Sequence, residues 1–136
     1  MPFVLDASVA GVWASQHEKH PLAVLALGAL RSDTALAPTI WWYELRNILL
    51  VNERHDRATP DDSKAFLSDV ATLSIVIDTA ADEAMIFDLA RRHRLTFYDA
   101  AYLELAMRLR LPLATLDAAL VAAARAEKVA LLNEAQ

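Results

Sequence analysis

Four carboxylates occupy positions from which they could do chemistry: Asp6, Glu44, Asp99 and Asp117. Asp6 directly follows the apolar run Phe3-Val-Leu5, and Asp117 lies just past Leu113-Ala-Thr115. Asp99 stands at the start of a helical pattern, and Glu44 falls inside the amphipathic stretch from Trp41 to Leu50. In an open parallel sheet, residues beyond the strand carboxyl ends gather along one edge, where ligands bind at the reversal in strand order. Asp6 and Asp117 are therefore expected on the same edge. Asp6, Asp99 and Asp117 each also suit an ordinary helix N-cap; the two roles are compatible, because caps that follow parallel strands lie on that edge anyway.

Glu44 has no such ordinary explanation. At 100° per residue it lies about 60° from the centre of the face made by Trp41, Leu45 and Ile48, on the rim of the buried stripe. Its neighbours three and four residues away are Ile40, Trp41, Asn47 and Ile48, so no local ion pair accounts for it. A partly buried carboxylate needs hydrogen bonds, a distant cation or a metal, and Asn47, one turn on, is placed to orient it. Converging carboxylates without basic partners repel one another, and some take up protons at neutral pH. A divalent cation removes that problem. Oxygen-only donors without histidine or cysteine select Mg²⁺ or Mn²⁺ rather than zinc, and Mg²⁺ leaves room for phosphate oxygens. The chemistry such a site supports is metal-assisted phosphodiester hydrolysis.

The elements that must position these acids follow from local patterns. Phe3–Leu5 reads as a short strand, followed by Asp6 and a helix through Val12 and Trp13. Leu22 to Leu30 is an apolar helix expected to be sandwiched between layers or against a second copy. Ala35 to Ala37 reads as a brief strand, and Thr39 as the N-cap of a helix to about Arg54 whose buried face holds Trp41, Leu45, Ile48 and Asn52. Thr59-Pro-Asp-Asp62 combines an N-cap, a first-turn proline and acids at the positive dipole end; that helix is expected to reach about Leu73. Ser74 to Ile77 is a strand by its β-branched content. Thr79 is expected to open a helix ending in Arg91-Arg-His-Arg94, and Asp99 the next one. Leu113 to Thr115 forms a strand, a helix follows Asp117, and Ala130 to Leu132 makes a last short strand. Strands alternating with helices predict an α/β fold: a three-layer sandwich with a mostly parallel central sheet flanked by helices. One domain spanning residues 1–136 is expected.

Composition narrows the function. The 136 residues hold 18 acidic and 13 basic side chains, a net charge of −5, with 56% hydrophobic residues and no cysteine. Disorder, disulfide scaffolds and thiol catalysis are excluded. The two glycines, Gly11 and Gly28, cannot build a P-loop or a dinucleotide-binding fingerprint. The start, MPFVLDAS, has no basic and apolar signal regions, and no charge-free stretch approaches the roughly 18 to 20 residues of a membrane span. No membrane association is expected, and the expected location is cytoplasmic. Net acidity taken alone argues against a nucleic-acid partner.

The wording of four segments adds to this reading. Val4-Leu-Asp6-Ala-Ser8, Pro38-Thr-Ile-Trp-Trp-Tyr-Glu44-Leu-Arg-Asn47-Ile-Leu, Leu95-Thr-Phe-Tyr-Asp99-Ala-Ala-Tyr-Leu-Glu-Leu-Ala106 and Leu111-Pro-Leu-Ala-Thr-Leu-Asp117 occur in that order. Together they resemble the PIN-domain family, most closely the VapC-like toxins of toxin–antitoxin pairs, over nearly the whole chain. The resemblance implies a Mg²⁺- or Mn²⁺-dependent endoribonuclease, usually homodimeric, held inactive by a cognate VapB-like antitoxin. It carries the acidic quartet onto Asp6, Glu44, Asp99 and Asp117, supporting hydroxyls onto Ser8 and Thr115, and a nearby asparagine onto Asn47. Trp42 departs from the pattern, since relatives often have proline there; the departure bears on the dimer or partner surface rather than on the acids.

Two other functions were open to such a chain: an aspartyl-phosphate phosphotransferase using Asp6, and a non-catalytic antitoxin-binding module. Asp6-Ala-Ser8 supplies neither the second acid nor the lysine that the first would want, and the complete quartet argues against the second. Arg91, Arg92 and Arg94 suit RNA phosphates, or equally a helix end whose cations favour the dipole; Arg46 and Arg54 share that ambiguity. His17 and His20 are three apart rather than the four of a zinc helix. Trp13, Trp41 and Tyr43 are expected as core or interface anchors rather than base-stacking platforms.

Overall fold

The computed structural model describes residues 1–132; the last four residues of the expected domain, 133–136, lie outside the described residues. The elements run β1 (Phe3–Leu5), α1 (Ala7–Ala14), α2 (Pro21–Ala29), β2 (Ala35–Pro38), α3 (Ile40–Arg54), α4 (Pro60–Val70), β3 (Ile75–Asp78), α5 (Glu83–His93), α6 (Phe97–Leu109), β4 (Leu113–Ala114) and α7 (Ala118–Ala126). The four strands form one parallel sheet in the order β3-β2-β1-β4, which establishes the expected three-layer α/β sandwich. From β1 the chain steps to β2 and β3 in one direction, then returns past β1 to β4. Right-handed crossovers put the helices of the outward steps on one face and those of the return on the other. The order reverses between β1 and β4, and there Val4 pairs with Leu113 and Leu5 with Ala114.

Phe3, Val4, Leu5, Leu113 and Ala114 have no exposed surface, as expected of strands covered on both faces. α6 lies along β1, β2 and β4 and packs on α5 and α7, while α1 holds α2 and α3 together. Gly11 allows that last approach: a Cβ there would stand 3.0 Å from Ile48 Cδ1. Among the described residues no helix is long and apolar enough to cross a membrane.

Several boundaries differ from expectation for identifiable reasons. Thr39 has helical backbone angles and makes no capping bond, because a side chain caps only from the extended region. On α3 the buried residues are Trp41, Leu45 and Leu49, with Ile48 and Asn52 half-buried, so the stripe is turned slightly from the expected face. α4 carries a full capping box between Thr59 and Asp62 but stops at Val70, where the Thr72 hydroxyl donates to the Asp69 carbonyl at 2.7 Å. Thr79 does not start α5. Asp78 Oδ1 accepts the Ala80 N–H at 3.0 Å, an Asx-type turn that delays the helix, and Asp82 caps it by accepting from Met85 N. Ala130 to Leu132 forms a single bridge, Leu113 to Leu131, rather than a strand. α2 is covered on one face only: Leu22, Ala23, Ala26 and Leu30 are buried, while Val24 and Leu27 face solvent. It is therefore not sandwiched between layers of this chain.

Candidate active site

Asp6 leaves the end of β1 into the start of α1 and is 5% exposed. It makes no side-chain capping bond; its Oδ2 accepts the Thr115 hydroxyl at 2.6 Å and the Ser8 hydroxyl at 2.8 Å. Each hydroxyl also ties down the neighbouring β4–α7 turn, Ser8 Oγ accepting from Leu116 N and Thr115 Oγ1 from Asp117 N. Ser8 and Thr115 therefore clamp Asp6 to the turn that carries Asp117, the Thr115 bond alone spanning 109 residues of sequence. Asp117 keeps its capping role, with Oδ1 accepting from Leu120 N at 2.9 Å.

Asp99 is not the N-cap of α6. Thr96 is, accepting the Asp99 N–H at 3.1 Å, so Asp99 sits inside the first turn with its carboxylate not spent on capping. An acid there is favoured by the helix dipole. Glu44, half-buried on α3, accepts a 2.6 Å hydrogen bond from the Tyr102 hydroxyl at Oε1. Tyr102 is wholly buried and in turn accepts weakly from Ala7 N at 3.4 Å. Sequence reasoning assigned the orienting role to Asn47, whereas Asn47 is exposed and makes no side-chain hydrogen bond among the described residues. Tyr102 is the residue it missed. The available signal was spacing: Tyr102 is three residues after Asp99, so both lie on one face of the same helix.

Asp6, Glu44 and Asp99 each sense the charge of other acids of the set. Burial pushes the Asp6 carboxyl up, Thr115 and Ser8 hold it down, and the Asp117 charge adds to the rise. Glu44 is pushed up by burial against the lowering effect of Tyr102, with Asp6 and Asp99 raising it further. Asp99 is raised by burial and then by Asp117 and Asp6, and lowered by Thr96. Burial and the charges of Asp6 and Glu44 drive the Tyr102 phenol far upward, so it stays protonated and remains a donor. The ion pairs found among the described residues involve none of the four acids.

This donor set, all oxygen and without a compensating base, fits a hard divalent cation. The four acids approach without closing into a ligand shell: among the described residues, no three histidine, aspartate or glutamate side chains are already arranged to hold a metal ion.

The basic cluster lies elsewhere. Arg92 is bound to Asp88 at 2.6 Å and Glu127 at 2.7 Å, and His93 shares Glu127. Glu127 lines a cavity with Met1 and Pro112, which precede β1 and β4 and so mark the opposite edge of the sheet. Arg91 rests over the Phe87 ring, 5.1 Å from its centroid, and Arg94 closes α5 in a left-handed conformation. Of the three aromatic anchors, Trp41 is buried and Trp13 donates to the Ala23 carbonyl at 2.8 Å. Tyr43 is 66% exposed and anchors no core.

No curated protein sequence matches the chain significantly. Its fold is that of several solved structures. PAE2754 from Pyrobaculum aerophilum superposes with a TM-score of 0.66 at 22% identity, covering 90% of this chain and 84% of the other. VapC20 of Mycobacterium tuberculosis, described as a sarcin–ricin loop cleaving toxin, gives 0.64 at 16% identity over 89% of this chain and 94% of its own. FitAcB from Neisseria gonorrhoeae gives 0.66 at 17% identity over 100% and 99%. A family model for the PIN domain matches residues 3–127, which is nearly the whole length, and the chain belongs to the PIN-domain family.

Proposed function

We propose that the chain is a divalent-metal-dependent endoribonuclease that serves as the toxin of a toxin–antitoxin pair. The observation that carries this reading is the convergence of Asp6, Glu44, Asp99 and Asp117 at the reversal in strand order, with three of them pushed up in pKa and none ion-paired. Asp6, Asp99 and Asp117 would hold Mg²⁺ or Mn²⁺, with Glu44 binding directly or through water. When bound, such an ion supplies an activated water and stabilises a leaving oxygen. The rest falls to the chain itself. Ser8 and Thr115 fix the Asp6 carboxylate in one rotamer, and Tyr102 aims Glu44. The Asp117 cap locks the β4–α7 turn. Arg91, Arg92 and Arg94, at the opposite edge of the sheet, take no part in this site, and Asn47 sits exposed on the same helix as Glu44. A VapB-like antitoxin partner, a homodimer and a cytoplasmic setting belong to the same reading, supported by the resemblance of the four motifs to VapC-like toxins.

RNA incubated with the purified chain is expected to be cut in Mg²⁺ or Mn²⁺ and to stay intact once EDTA has removed the metal. Cutting that continues undiminished in EDTA would overturn the reading.

Metal should also be visible in stability. An ion that binds only the native state, present at a hundredfold excess over its Kd, adds about 2.7 kcal/mol, a rise of several degrees in Tm for a domain of this size. Asp99→Asn removes one of the repelling charges, so it is expected to raise Tm in EDTA by a few degrees and to shrink the response to Mg²⁺. A metal-free Tm well below that of the native chain would contradict this account of Asp99.

A further inference from the structure

A cleft of about 150 Å³ runs from the site between α1 and the end of α3. Ser8 lines it and donates to Asp6 at 2.8 Å. On α3, Ile48 and Asn52 line it; they follow Glu44 at four and eight residues, so the site acid and the cleft wall share one stripe of the helix. Both helices run away from the acids: the Asp6 charge reaches Glu44, and one turn further along α3 Ile48 meets Gly11. The far end of the cleft therefore holds Gln16, His17 and Glu18, which follow α1, and Arg57, which follows α3. From Ser8 to Ser15 the rise is about 10 Å. The backbone at this end is tied down. Ser15 Oγ accepts from Glu18 N at 2.9 Å, and Arg57 N donates to the Asn52 carbonyl at 2.9 Å. The side chains are not: among the described residues, those of Gln16, His17, Asn52 and Arg57 make no hydrogen bond or ion pair. Glu18 lies in the same wall and does not pair with Arg57.

We propose that this cleft leads the RNA backbone away from the acids and that Arg57 binds a phosphate flanking the one that is cut. The inference rests on the ribonuclease reading for the identity of the strand, and adds a positioning residue to it. An RNA strand is a polyanion, and a group of carboxylates repels it wherever no cation intervenes. A metal held by the acids offsets that at the reacting phosphate, but its reach in physiological salt is only about 8 Å. A flanking phosphate needs a contact of its own. Arg46 and Arg108, on the helices of Glu44 and Asp99, are committed elsewhere. Arg46 lies 3.8 Å over the Trp42 ring and donates to the Trp42 carbonyl, and Arg108 is shared by Glu104 and Asp78. Arg57 is uncommitted, and a guanidinium can meet a phosphate through two parallel N–H donors. Gln16 and Asn52 add neutral donors beside it. At about 10 Å from Ser8 along the cleft, Arg57 acts on the hold of the strand and not on the reacting bond. Glu18 repels the same phosphate, so removing its charge should have the opposite effect.

Arg57→Gln removes an exposed charge, so the fold should survive, which thermal melting checks. Binding of a short fluorescein-labelled single-stranded RNA is measured across a salt titration on chains carrying Asp6→Asn, which keeps the RNA intact. Adding Arg57→Gln should weaken binding by about 3- to 10-fold at moderate salt. It should also reduce the slope of log affinity against log salt by about 0.7, the value of one phosphate contact on a single strand. Arg57→Lys, which keeps the charge, should restore the slope, and Glu18→Gln should tighten binding. Arg94→Gln, at the opposite edge of the sheet, should change neither. In the otherwise native chain with Mg²⁺, Arg57→Gln should raise KM for RNA with little change in kcat, the mark of a contact made equally in ground and transition states. If the native chain cuts nothing but Arg57→Gln still weakens binding and lowers the slope, the RNA cleft stands and the ribonuclease reading falls. If cutting occurs and Arg57→Gln leaves KM and the slope unchanged, the cleft is overturned and the ribonuclease stands. A fall in kcat that Arg57→Lys does not rescue overturns it equally, as does sedimentation showing that Arg57→Gln breaks a contact between copies. No RNA binding by any of these chains overturns both.

Discussion

Asp6→Asn is expected to lower Mg²⁺-dependent RNA cleavage by about 10³-fold or more, a loss typical of deleting one member of a catalytic set, without lowering stability. The two halves of this expectation come from the same geometry. Asparagine has the shape of aspartate, and its amide oxygen can accept the Thr115 and Ser8 hydroxyls that Asp6 Oδ2 accepts at 2.6 and 2.8 Å. The remaining side-chain position then presents an NH₂ group, a donor that cannot ligate a cation. Burial already disfavours the charged form of Asp6, and the Asp117 charge adds to that. A neutral side chain therefore relieves the metal-free fold rather than damaging it. The paired measurement is initial cleavage rate with Mg²⁺ beside Tm in EDTA. Near-native cleavage would remove Asp6 from the chemistry. Lost cleavage with a sharply lower Tm would mean that unfolding, and not a missing ligand, explained the loss.

Much of this site could be read from residue order, and the portions that could not share a cause. Asp6 and Asp117 were legible because each follows a short apolar run, and a parallel sheet leaves residues after its strands on one edge. Glu44 was legible as an acid on the rim of an apolar stripe with no cation within a turn. Asp99 was found at the right position with the wrong capping role, since a threonine three residues earlier competes for the same cap and wins. Tyr102 was invisible as a functional residue: on a helix whose neighbours Leu103, Leu105 and Ala106 are all buried, a tyrosine looks like packing. Its role depends on α3 crossing within hydrogen-bond reach of α6, a contact between residues 58 positions apart. Asn47 failed for the converse reason, because one turn of helix carried it past the rim into solvent. The net charge of −5 also changes meaning: without the four site acids the count is 14 acidic against 13 basic side chains. The surplus acidity is thus concentrated where a cation would offset it, and it no longer argues against a nucleic-acid partner.

Arg108→Met is expected to cost about 2–4 kcal/mol of stability at neutral pH, the largest effect predicted for a residue outside the site. The range is set slightly below that of a fully buried pair, because the Arg108 side chain is 26% exposed against 2% for Glu104. Methionine keeps the apolar stem but removes the guanidinium that ties Glu104, one turn away on α6, to Asp78, 30 residues before Arg108 at the end of β3. Glu104 is then left in the core with the long 3.3 Å hydrogen bond from Asp82 N, and a buried carboxylate without its cation is costly. Replacing Glu104 with glutamine in the same chain removes the stranded charge, so the double variant should recover part of the loss.

The pH dependence gives a second handle. Hydrogen bonding to Arg108 holds the Asp78 carboxyl below its ordinary value of 3.8, so native Asp78 binds its proton less tightly than it does in the unfolded chain. That contribution is complete above the unfolded value and disappears as pH falls through the depressed one. The stability gap between native and Arg108→Met chains, measured by urea unfolding in EDTA, should therefore be widest near neutrality and narrow below about pH 4. Asp6, Glu44 and Asp99 shift in the opposite direction and destabilise the metal-free fold as pH rises. They are common to both chains and cancel in the difference. A gap below about 0.5 kcal/mol at pH 7, the scale of an exposed ion pair, or one that does not change with pH, would show that Arg108 is surface decoration and not the clasp between α6 and the end of β3.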